Sequence, residues 1–533
     1  MGREMRWWGW GEDTHAGAVS EQALAWLEGE LGTLDAPQGP VALDAVRLEE
    51  PRLPGALHER FGDILRDDRA ARVVHTRGKS YPDLVRQRTG DGSGAPDAVL
   101  TPRDHDEVRA VLEACAGAGV AVVPFGGGTS VVGGIEPLRE GFGALVSLDL
   151  AGLDALESLD ERSQLAVVGG GIRAVELEAR LGERGFTLGH YPQSYEYVTI
   201  GGCAATRSAG QASTGYGRID ELVVGMRLAA PSGDLDLRPQ PASAAGPELR
   251  RLVIGSEGVL GAITRVALRV RPVPELTRYE GWMFVSFGAG AEALRRLEQG
   301  GAAPDVARLS DEDETRLGLG MAGLGGVRSG ALRAYLRARG VAGGALAIVG
   351  WAGPEEGVRI RREAAIEALR DAGGVSLGQP AGRAWVRSRF HGPYVRDDLM
   401  DRGVMVETLE TATTWAQLFA LYRAVGDVLR SHAPLVACHI SHLYPTGASL
   451  YFTFMARARR GEELEQWASV KRAASEAIVA AGATITHHHA LGRDHAPYVE
   501  AEVGATGVAA LRALKGELDP AGVMNPGKLL PSP

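Results

Sequence analysis

The chain has 533 residues, of which 45% are hydrophobic and 23% are charged, and its formal net charge is −10. A single core stops growing at roughly 250–300 residues, so two or more domains are expected. The acidic balance argues against a nucleic-acid partner, because binding to phosphates needs a basic surface. The three cysteines are far apart and form no C-x-x-C pair, which argues against disulfides and a thiolate zinc site and favours the cytoplasm. No apolar run reaches the ~20 residues of a membrane span, and the N-terminus lacks the apolar region of a secretory signal.

The N-terminal part, residues 1–91, is predicted to be a helical extension, with helical apolar spacing over residues 16–32. A sharper pattern follows, in which a short strand at Ala98–Leu100 precedes a helix start at Thr101 and Pro102. One face of that helix carries four apolar residues at helical spacing: Val108, Val111, Leu112 and Cys115. A buried strand is predicted at Val120–Val123 and runs into the sequence PFGGGTSVVGG.

A second unit of the same kind has a strand at Leu165–Val168, three glycines as a turn, and a helix with Ala174, Leu177 and Leu181 on one face. Alternating apolar residues from Thr264 to Val270 then predict a half-buried strand. Two prolines follow directly, and a domain boundary is predicted between residues 275 and 276.

Residues 276–490 have an α+β pattern and are expected to form a second domain. Strands are predicted at Met283–Phe287, Leu346–Trp351 and Leu450–Phe454, and helices over residues 355–372 and 461–481. The remaining segment, residues 491–533, is rich in turn residues and is expected to return to the earlier domain.

The glycine-rich loop after the first buried strand is a candidate phosphate site. Residues Gly126 to Ser130 would present backbone N–H groups without side chains in the way, together with two hydroxyls. The loop does not fit the dinucleotide-binding G-x-G-x-x-G pattern, because Val131 stands where the last glycine is needed. Gly169 and Gly171 fit a looser form of that pattern, but no acidic residue near position 190 could bind a ribose.

Four segments in order, PFGGGTSVVGG, TIGGCAATRSAG, YGRIDELV and GSEGVLGAIT, resemble the FAD-binding domain of the vanillyl-alcohol-oxidase superfamily. The resemblance implies a two-subdomain PCMH-type FAD-binding domain over residues 92–275 and, over residues 276–490, a cap or substrate domain with an antiparallel sheet flanked by helices. It also implies FAD as the cofactor, bound non-covalently because the first loop has no histidine. The residues expected to contact FAD are Pro124, Gly126, Gly127, Gly128, Thr129, Ser130, Pro192, Ser194, Thr199, Gly202, Ala205, Thr206, Ser208, Glu257 and Ile263.

Histidines cluster in the C-terminal half, at His439 and His442 and again in the run His487–His489. Neighbouring histidines on an extended strand would alternate faces, so His487 and His489 would share one side. Spacing alone leaves three interpretations open, which are a metal site, a catalytic site and a polar structural strand.

The wider pattern distinguishes two branches of the superfamily. The D-lactate and 2-hydroxy-acid dehydrogenases carry H-x-G-D-G-N-L-H and E-H-G segments that hold a divalent metal. Here Tyr451 replaces the second histidine of the first segment, and His488 stands in place of the glutamate. The metal-ligand set is therefore incomplete, and no metal is predicted.

The same features resemble the alkyldihydroxyacetonephosphate synthase family. The matching segments are a Trp-Gly-Trp-Gly start, PQSYEYVTIGG, Ala307-Arg308-Leu309, PYVRD, Glu407 with Glu410, Leu450-Tyr451-Phe452 and the three adjacent histidines. The resemblance implies exchange of the acyl group of 1-acyl-dihydroxyacetone phosphate for a long-chain fatty alcohol, without net electron transfer.

By matching positions, the resemblance implies that Tyr451 transfers a proton and that His487, His488 and His489 orient the phosphate or enolate. Arg396 and, second to it, Arg308 would bind the substrate phosphate, since a guanidinium pairs with phosphate oxygens. A homodimer and a peripheral membrane contact are also implied, and the family's peroxisomal targeting sequence is not seen. Two alternatives are an FAD-linked dehydrogenase or oxidase of a hydroxy acid or alcohol, and a flavin-containing protein without catalysis.

Overall fold

The computed structural model describes residues 5–12, 19–322 and 327–530, and within them the strands form four sheets. The first sheet contains, in spatial order, Leu65–Arg66, Ala98–Leu100, Ala144–Asp149 and Val120–Phe125. Its last three strands are parallel, whereas the two-residue edge strand is antiparallel.

The helix His105–Ala118 connects two of these parallel strands and confirms the predicted one. It begins after Asp104, whose carboxylate accepts a hydrogen bond from the Glu107 N–H, and it ends at Gly119, whose φ of +62° is left-handed. The four apolar residues predicted on one face are all buried, so helical spacing identified the packed face.

The second sheet is antiparallel throughout and contains both strands predicted for this part of the chain. Its strands, in spatial order, are Leu156–Asp160, Leu165–Gly169, Ala262–Arg269, Val223–Ala230 and Gly233–Leu237. A separate two-stranded sheet pairs Phe186–Thr187 with Arg271–Pro272. The second of these strands directly follows the strand Ala262–Arg269 in sequence.

The cap sheet has seven antiparallel strands. They are, in spatial order, Val375–Gly378, Leu276–Phe284, Ala345–Gly353, Val306–Ser310, Leu435–Tyr444, Gly447–Arg457 and Val404–Thr414. Its core is rich in large side chains that are almost completely buried, including Trp282, Phe284, Trp351, Phe452 and Phe454.

One predicted strand of the cap sheet has the wrong bounds. The strand predicted at Met283–Phe287 already begins at Leu276 and ends at Phe284, and Phe287 is the first residue of a helix. The reason is Ser286, whose hydroxyl accepts a hydrogen bond from the N–H of Ala289 and so starts the helix.

The helices cover the sheets and connect their strands. Their bounds are Glu21–Leu31, Gly55–Phe61, Arg69–Val74, Tyr81–Arg88, His105–Ala118, Ala174–Gly182, Ile200–Thr206, Ser213–Tyr216, Ile219–Leu222, Arg250–Val253, Phe287–Gln299, Glu312–Met321, Val327–Ala338, Glu355–Asp371, Gln379–Ser388, Gly392–Asp401, Leu418–Arg430, Glu463–Ala480 and Val499–Leu518. The helices predicted over residues 355–372 and 461–481 agree with this assignment. Of the helical spacing predicted over residues 16–32, residues 16–18 lie outside the described residues. None of the described helices is both long and apolar enough to cross a membrane.

The segment after the last long helix returns to the first sheet. The N–H of Val122 donates to the carbonyl of Val523, and the N–H of Asn525 donates to the carbonyl of Val122, both at 2.8 Å. Residues 523–525 therefore extend the first sheet beside its outermost parallel strand. The α+β class predicted from the sequence is confirmed.

Candidate active site

The predicted phosphate loop, Gly126–Ser130, follows directly after the outermost parallel strand of the first sheet. A Cβ atom on Gly126 would overlap the Thr199 hydroxyl, and a Cβ atom on Gly127 would overlap the Tyr197 carbonyl. Within the described chain, no backbone hydrogen bond uses the N–H groups of residues 126–130. The loop therefore offers consecutive donors in a space that side chains cannot enter, which is an arrangement that binds diphosphates.

A short helix packs against this loop through Thr199, which precedes its first turn. The Thr199 hydroxyl accepts a hydrogen bond from the N–H of Gly202 at 3.2 Å, and the hydroxyl of Thr206 donates to the Gly202 carbonyl at 2.9 Å. A Cβ atom on Gly201 would lie 2.7 Å from the carbonyl oxygen of Gly170. The small residues at this position thus allow the helix to rest directly on the second sheet.

The turn before this helix contains two further predicted residues and one that the sequence reasoning missed. The carbonyl of Pro192 accepts from the N–H of Tyr195 at 3.0 Å, and the carbonyl of Ser194 accepts from the N–H of Val198 at 2.9 Å. Ser208 Oγ lies 2.6 Å from His190 Nε2, and burial lowers the pKa of His190 to about 4. The neutral imidazole thus lies beside a predicted flavin residue, and its position just before PQSYEY was the signal available in the sequence.

Glu257 connects the cradle to the segment that follows the histidines. Its N–H donates to the carbonyl of Ala205 at 2.9 Å, and its carboxyl group accepts from the N–H groups of Leu491 at 2.8 Å and Gly492 at 2.7 Å. Burial raises the pKa of Glu257 to about 7, against the lowering effect of these two hydrogen bonds. Glu257 therefore shapes the site by holding another segment of the chain.

The remaining predicted flavin residues lie around the same loop. The hydroxyl of Ser130 accepts from the N–H of Gly134 at 2.9 Å and closes the turn after the glycines. Pro124 is half-buried in the strand before the loop, Thr129 lies within it, and Ile263 is buried in the second sheet. Four distant segments of the FAD-binding half thus meet at one place, and their residues fit a dinucleotide with a diphosphate at the glycines.

Tyr451 lies in the middle of the strand Gly447–Arg457, opposite His439 on one neighbouring strand and Glu410 on the other. The rings of Tyr451 and His439 are stacked, with centroids 4.8 Å apart and planes 20° apart. Burial raises the pKa of Tyr451 to about 12. The loss of hydration outweighs the lowering effects of the Thr408 hydroxyl and of Arg308 on this pKa.

The run His487–His489 lies in a loop, and the prediction of a strand with alternating faces is wrong. The loop wraps around the carboxylate of Glu410, which accepts the backbone N–H groups of all three histidines. The ring of His488 stacks near Tyr451 at a centroid distance of 6.0 Å, and His489 approaches Tyr451 edge-on at 5.5 Å. The imidazoles of His488 and His489 therefore contact Tyr451, whereas that of His487 contacts His442, Tyr444 and His488.

His442 joins this cluster from the neighbouring strand. Its Nδ1 lies 2.7 Å from the hydroxyl of Ser213, and its ring lies 4.9 Å from that of His487. Nitrogen atoms of His442, His487 and His488 lie within 4.8 Å of one another. The rings also contact one another directly, since the Nδ1 atoms of His487 and His488 are 2.9 Å apart and Tyr444 OH is 2.6 Å from His487 Nε2.

These imidazoles are held in the neutral form by burial. Burial lowers the pKa of His489 to about 3, and it lowers the pKa of His487, His488 and His442 as well. A neutral imidazole offers one N–H donor and one nitrogen acceptor, so it can both bind an anion and accept a proton.

Arg308 lies beside the stacked pair of Tyr451 and His439. Its Nη1 is 3.0 Å from His439 Nε2, and its Nη2 is 2.8 Å from the carboxylate of Glu314. The Nδ1 of His439 is also 2.8 Å from Glu314. The guanidinium is about a quarter exposed and is thus placed at the edge of the cluster.

Arg396 lies in a different environment, which the sequence did not indicate. Its Nη1 donates to the carbonyl of Lys79 at 2.7 Å, while Nε and Nη2 contact Asp397 Oδ1 at 3.2 and 3.1 Å. Arg396 thus joins a cap helix to the N-terminal extension, and each of its three nitrogens already has a protein partner.

Two contacts attach the histidine cluster to the flavin-binding half. Ser213 and Arg218 both come from that half, and Arg218 Nη2 donates to the carbonyl of His487 at 3.1 Å. Sequence reasoning missed the roles of these two residues, although Arg218 stands within the YGRIDELV segment. The histidine cluster therefore packs directly against the flavin-binding half.

The fold and this site define the chain as a flavoprotein of the FAD-linked oxidase type. Residues 96–236 match the family described as "FAD binding domain", and residues 273–529 match "FAD linked oxidases, C-terminal domain". FAD is the cofactor.

The chain belongs to the alkyldihydroxyacetonephosphate synthase family. It is 33% identical to the alkyldihydroxyacetonephosphate synthase of Dictyostelium discoideum over 484 residues, which cover 88% of this chain and 79% of that protein. It is also 33% identical to the enzyme of that name from Trypanosoma brucei brucei over 485 residues, with the same coverage. A solved structure of an alkyldihydroxyacetonephosphate synthase superimposes with a TM-score of 0.84 at 29% identity and covers 98% of both chains. The resemblance seen in the sequence and the PCMH-type architecture are confirmed.

Proposed function

We propose that this chain exchanges the acyl group of 1-acyl-dihydroxyacetone phosphate for a long-chain fatty alcohol and so forms an ether lipid precursor. The observation that carries the proposal is the placement of Tyr451 against the neutral imidazoles of His488 and His489, in a loop that Arg218 of the flavin-binding half also contacts. The 33% sequence identity between this chain and two proteins named alkyldihydroxyacetonephosphate synthase supports the same proposal. The dehydrogenase alternative is not favoured.

When bound, FAD supplies an electron-rich ring for the substrate carbon that loses its carboxylate. Residues 126–130 would bind the diphosphate, and Thr199 and Gly202 would border the flavin ring. The loop that holds the diphosphate has no histidine, so non-covalent binding remains our prediction.

Tyr451 is the proposed proton-transfer residue. A pKa near 12 keeps its hydroxyl protonated at neutral pH, so it would act first as a hydrogen-bond donor to the developing enolate oxygen. The neutral imidazoles of His487, His488 and His489 would orient the phosphate or enolate. Burial of the whole group excludes water, which would otherwise hydrolyse the reacting ester.

Arg308 and Arg396 remain the proposed phosphate ligands. The contact of Arg308 with His439, which stacks on Tyr451, favours Arg308 as the one nearer to the reacting atoms. For Arg396, binding of phosphate would compete with its existing contacts to Lys79 and Asp397.

The test is an anaerobic incubation of the FAD-loaded protein with palmitoyl-dihydroxyacetone phosphate and hexadecanol, with products measured by mass spectrometry. The expected products are hexadecyl-dihydroxyacetone phosphate and one equivalent of palmitate. If no ether forms, while hydroxy acids or alcohols reduce the flavin, the chain belongs to the dehydrogenase alternative.

The wider setting remains a set of predictions. We propose a homodimer, a peripheral contact with the membrane that holds the fatty alcohol, a cytoplasmic location and a site without metal. We also propose the division into an extension over residues 1–91, an FAD-binding domain over 92–275, a cap domain over 276–490 and a returning segment over 491–533.

A further inference from the structure

We propose that Glu410 is a positioning residue of the active site, because its carboxylate binds the backbone N–H groups of all three histidines and so sets their position relative to Tyr451. The role of Glu410 in catalysis rests on the proposed function. Its contacts with the histidine loop do not depend on which substrate binds.

The carboxylate of Glu410 is fully buried and receives four hydrogen bonds from four consecutive residues. Oε1 accepts from the hydroxyl of Thr486 at 2.6 Å and from the N–H groups of His488 and His489 at 3.1 and 2.9 Å. Oε2 accepts from the N–H of His487 at 2.6 Å. Donors from a whole turn of chain thus converge on one side chain, as they do around a bound anion.

These bonds keep the carboxylate ionised. Burial alone would raise the pKa of Glu410, but the hydrogen bond from the Thr486 hydroxyl and the electrostatic pairing with the histidine loop hold it well below its usual range. A buried anion without such donors would be strongly unfavourable. Loss of the carboxylate would leave the N–H groups of His487 and His488 and the hydroxyl of Thr486 without this acceptor, whereas the N–H of His489 would keep its bond to the Thr486 hydroxyl.

The position of Glu410 in the sheet explains why its contacts with the histidine loop matter for catalysis. Glu410 lies directly opposite Tyr451 in the register of the two outer cap strands. The same side chain that holds the histidine backbone is therefore fixed in register with the tyrosine whose ring the imidazoles contact. A displaced loop would carry His488 and His489 away from Tyr451 together.

The charge of Glu410 adds a second effect. Its Oε2 lies 3.5 Å from Nδ1 of His488, and its Oε1 lies 3.8 Å from Nδ1 of His489. These distances exceed those of good hydrogen bonds, but a buried negative charge this close stabilises an imidazolium. A histidine that takes up the substrate proton would be stabilised by Glu410 for the lifetime of that state.

A second carboxylate, which contacts the same loop from the helix Val499–Leu518, provides a matched control. Glu502 accepts a hydrogen bond from the hydroxyl of Thr484 at 3.2 Å and another from the N–H of Ile485. It holds the loop just before the histidines and does not contact their backbone among the described residues. Its side chain is exposed.

The experiment compares Glu410→Gln, Glu410→Asp and Glu502→Gln with the parent protein, all loaded with FAD. Hydrogen–deuterium exchange followed by mass spectrometry reports directly on the amides of residues 486–489. We expect exchange there to accelerate at least tenfold in Glu410→Gln, with the glycine loop at 126–130 unchanged. Glu410→Asp keeps the charge and should recover part of the protection, whereas Glu502→Gln should leave the three histidine amides as in the parent.

Ether formation is measured in parallel. We expect kcat/KM to fall at least 100-fold in Glu410→Gln, to recover in part in Glu410→Asp, and to change less than threefold in Glu502→Gln. Unchanged histidine amide exchange in Glu410→Gln, or activity within threefold of the parent, would overturn the inference. If the parent makes no ether, the proposed function fails, while the exchange measurement still decides whether Glu410 positions the loop.

Discussion

The hydroxyl of Ser213 lies 2.7 Å from Nδ1 of His442, although the two residues are 229 positions apart in the chain. Ser213 belongs to the flavin-binding half and His442 to the cap sheet, so this bond crosses the site between them. Both side chains are buried. The bond limits rotation of the His442 imidazole, whose ring is stacked on that of His487.

Ser213→Ala should lower the rate of ether formation about tenfold while FAD content stays the same. The alanine leaves Nδ1 of His442 without its partner, which frees the ring to rotate away from the histidine loop. Steady-state kinetics and flavin absorbance measure the two effects. Ser441→Ala, one residue before His442, is the control and should change the rate less than threefold. Equal losses in both variants would contradict the role of the Ser213 bond.

Tyr451→Phe should reduce kcat/KM by about 100-fold or more, the usual contribution of a positioned proton-transfer group. Phenylalanine retains the ring stacked on His439, so the melting temperature should stay within a few degrees. Because the pKa of Tyr451 is raised to about 12, the parent enzyme should show no loss of activity from tyrosine ionisation between pH 7 and 9. Tyr335→Phe, at an exposed tyrosine of the cap, is the control for the substitution itself. Activity within threefold of the parent would remove Tyr451 from the mechanism.

Gly127→Ala should abolish FAD binding without unfolding the cap. Its Cβ would overlap the Tyr197 carbonyl, and backbone on both sides leaves it no room to move. Flavin absorbance after purification measures the loss, and circular dichroism checks the fold. Gly143→Ala, in the same half with open space around its Cβ, should bind FAD like the parent. Full flavin content in Gly127→Ala would mean that the glycine loop can shift.

Acid or detergent should release all of the FAD from the parent protein. The diphosphate loop contains no histidine to form a covalent bond, and His190, which lies beside the predicted flavin residue Ser208, is hydrogen-bonded to that serine. The measurement is flavin fluorescence in the supernatant and in the precipitated protein. Yellow protein after precipitation would contradict non-covalent binding and call for mapping of the linked residue.

Glu257 should make the protein less stable as the pH rises. Its folded pKa of about 7 lies above its ordinary value of 4.5, so its stabilising contribution is complete below pH 4.5 and is lost as the pH rises through 7. At about 1.4 kcal/mol per pKa unit, the loss amounts to roughly 3 kcal/mol. Melting temperatures of the parent and of Glu257→Gln at pH 5 and pH 8 test this. The drop between the two pH values should be smaller in the variant, and an equal drop would exclude Glu257 as its source.

Local patterns predicted the parts of the fold that local interactions determine. The helix over His105–Ala118 was identified because its burial follows the helical period, and the strand before the glycine loop was identified because it is a short, continuous apolar run that is buried. The strand predicted to reach Phe287 was wrong, since the cap formed by Ser286 outweighed the apolar run.

The site was less predictable because long-range contacts shape it. The histidine run was expected to be an extended strand, but its backbone N–H groups bind the carboxylate of Glu410, which lies 77 residues earlier than His487. Arg396 has the character of a phosphate ligand in sequence, yet its partner Lys79 is 317 positions away. Neither contact leaves a signal in the spacing of nearby residues.

The return of residues 523–525 to the strand at Val122 has a consequence for how the protein is made. The strand that carries the glycine loop leaves the ribosome about 400 residues before the segment that completes its hydrogen bonds. Until that segment emerges, the edge beside Val122 is unpaired and open to pairing with other chains. Capture of FAD is therefore expected to follow synthesis of the whole cap, which makes flavin loading a late event in the maturation of the enzyme.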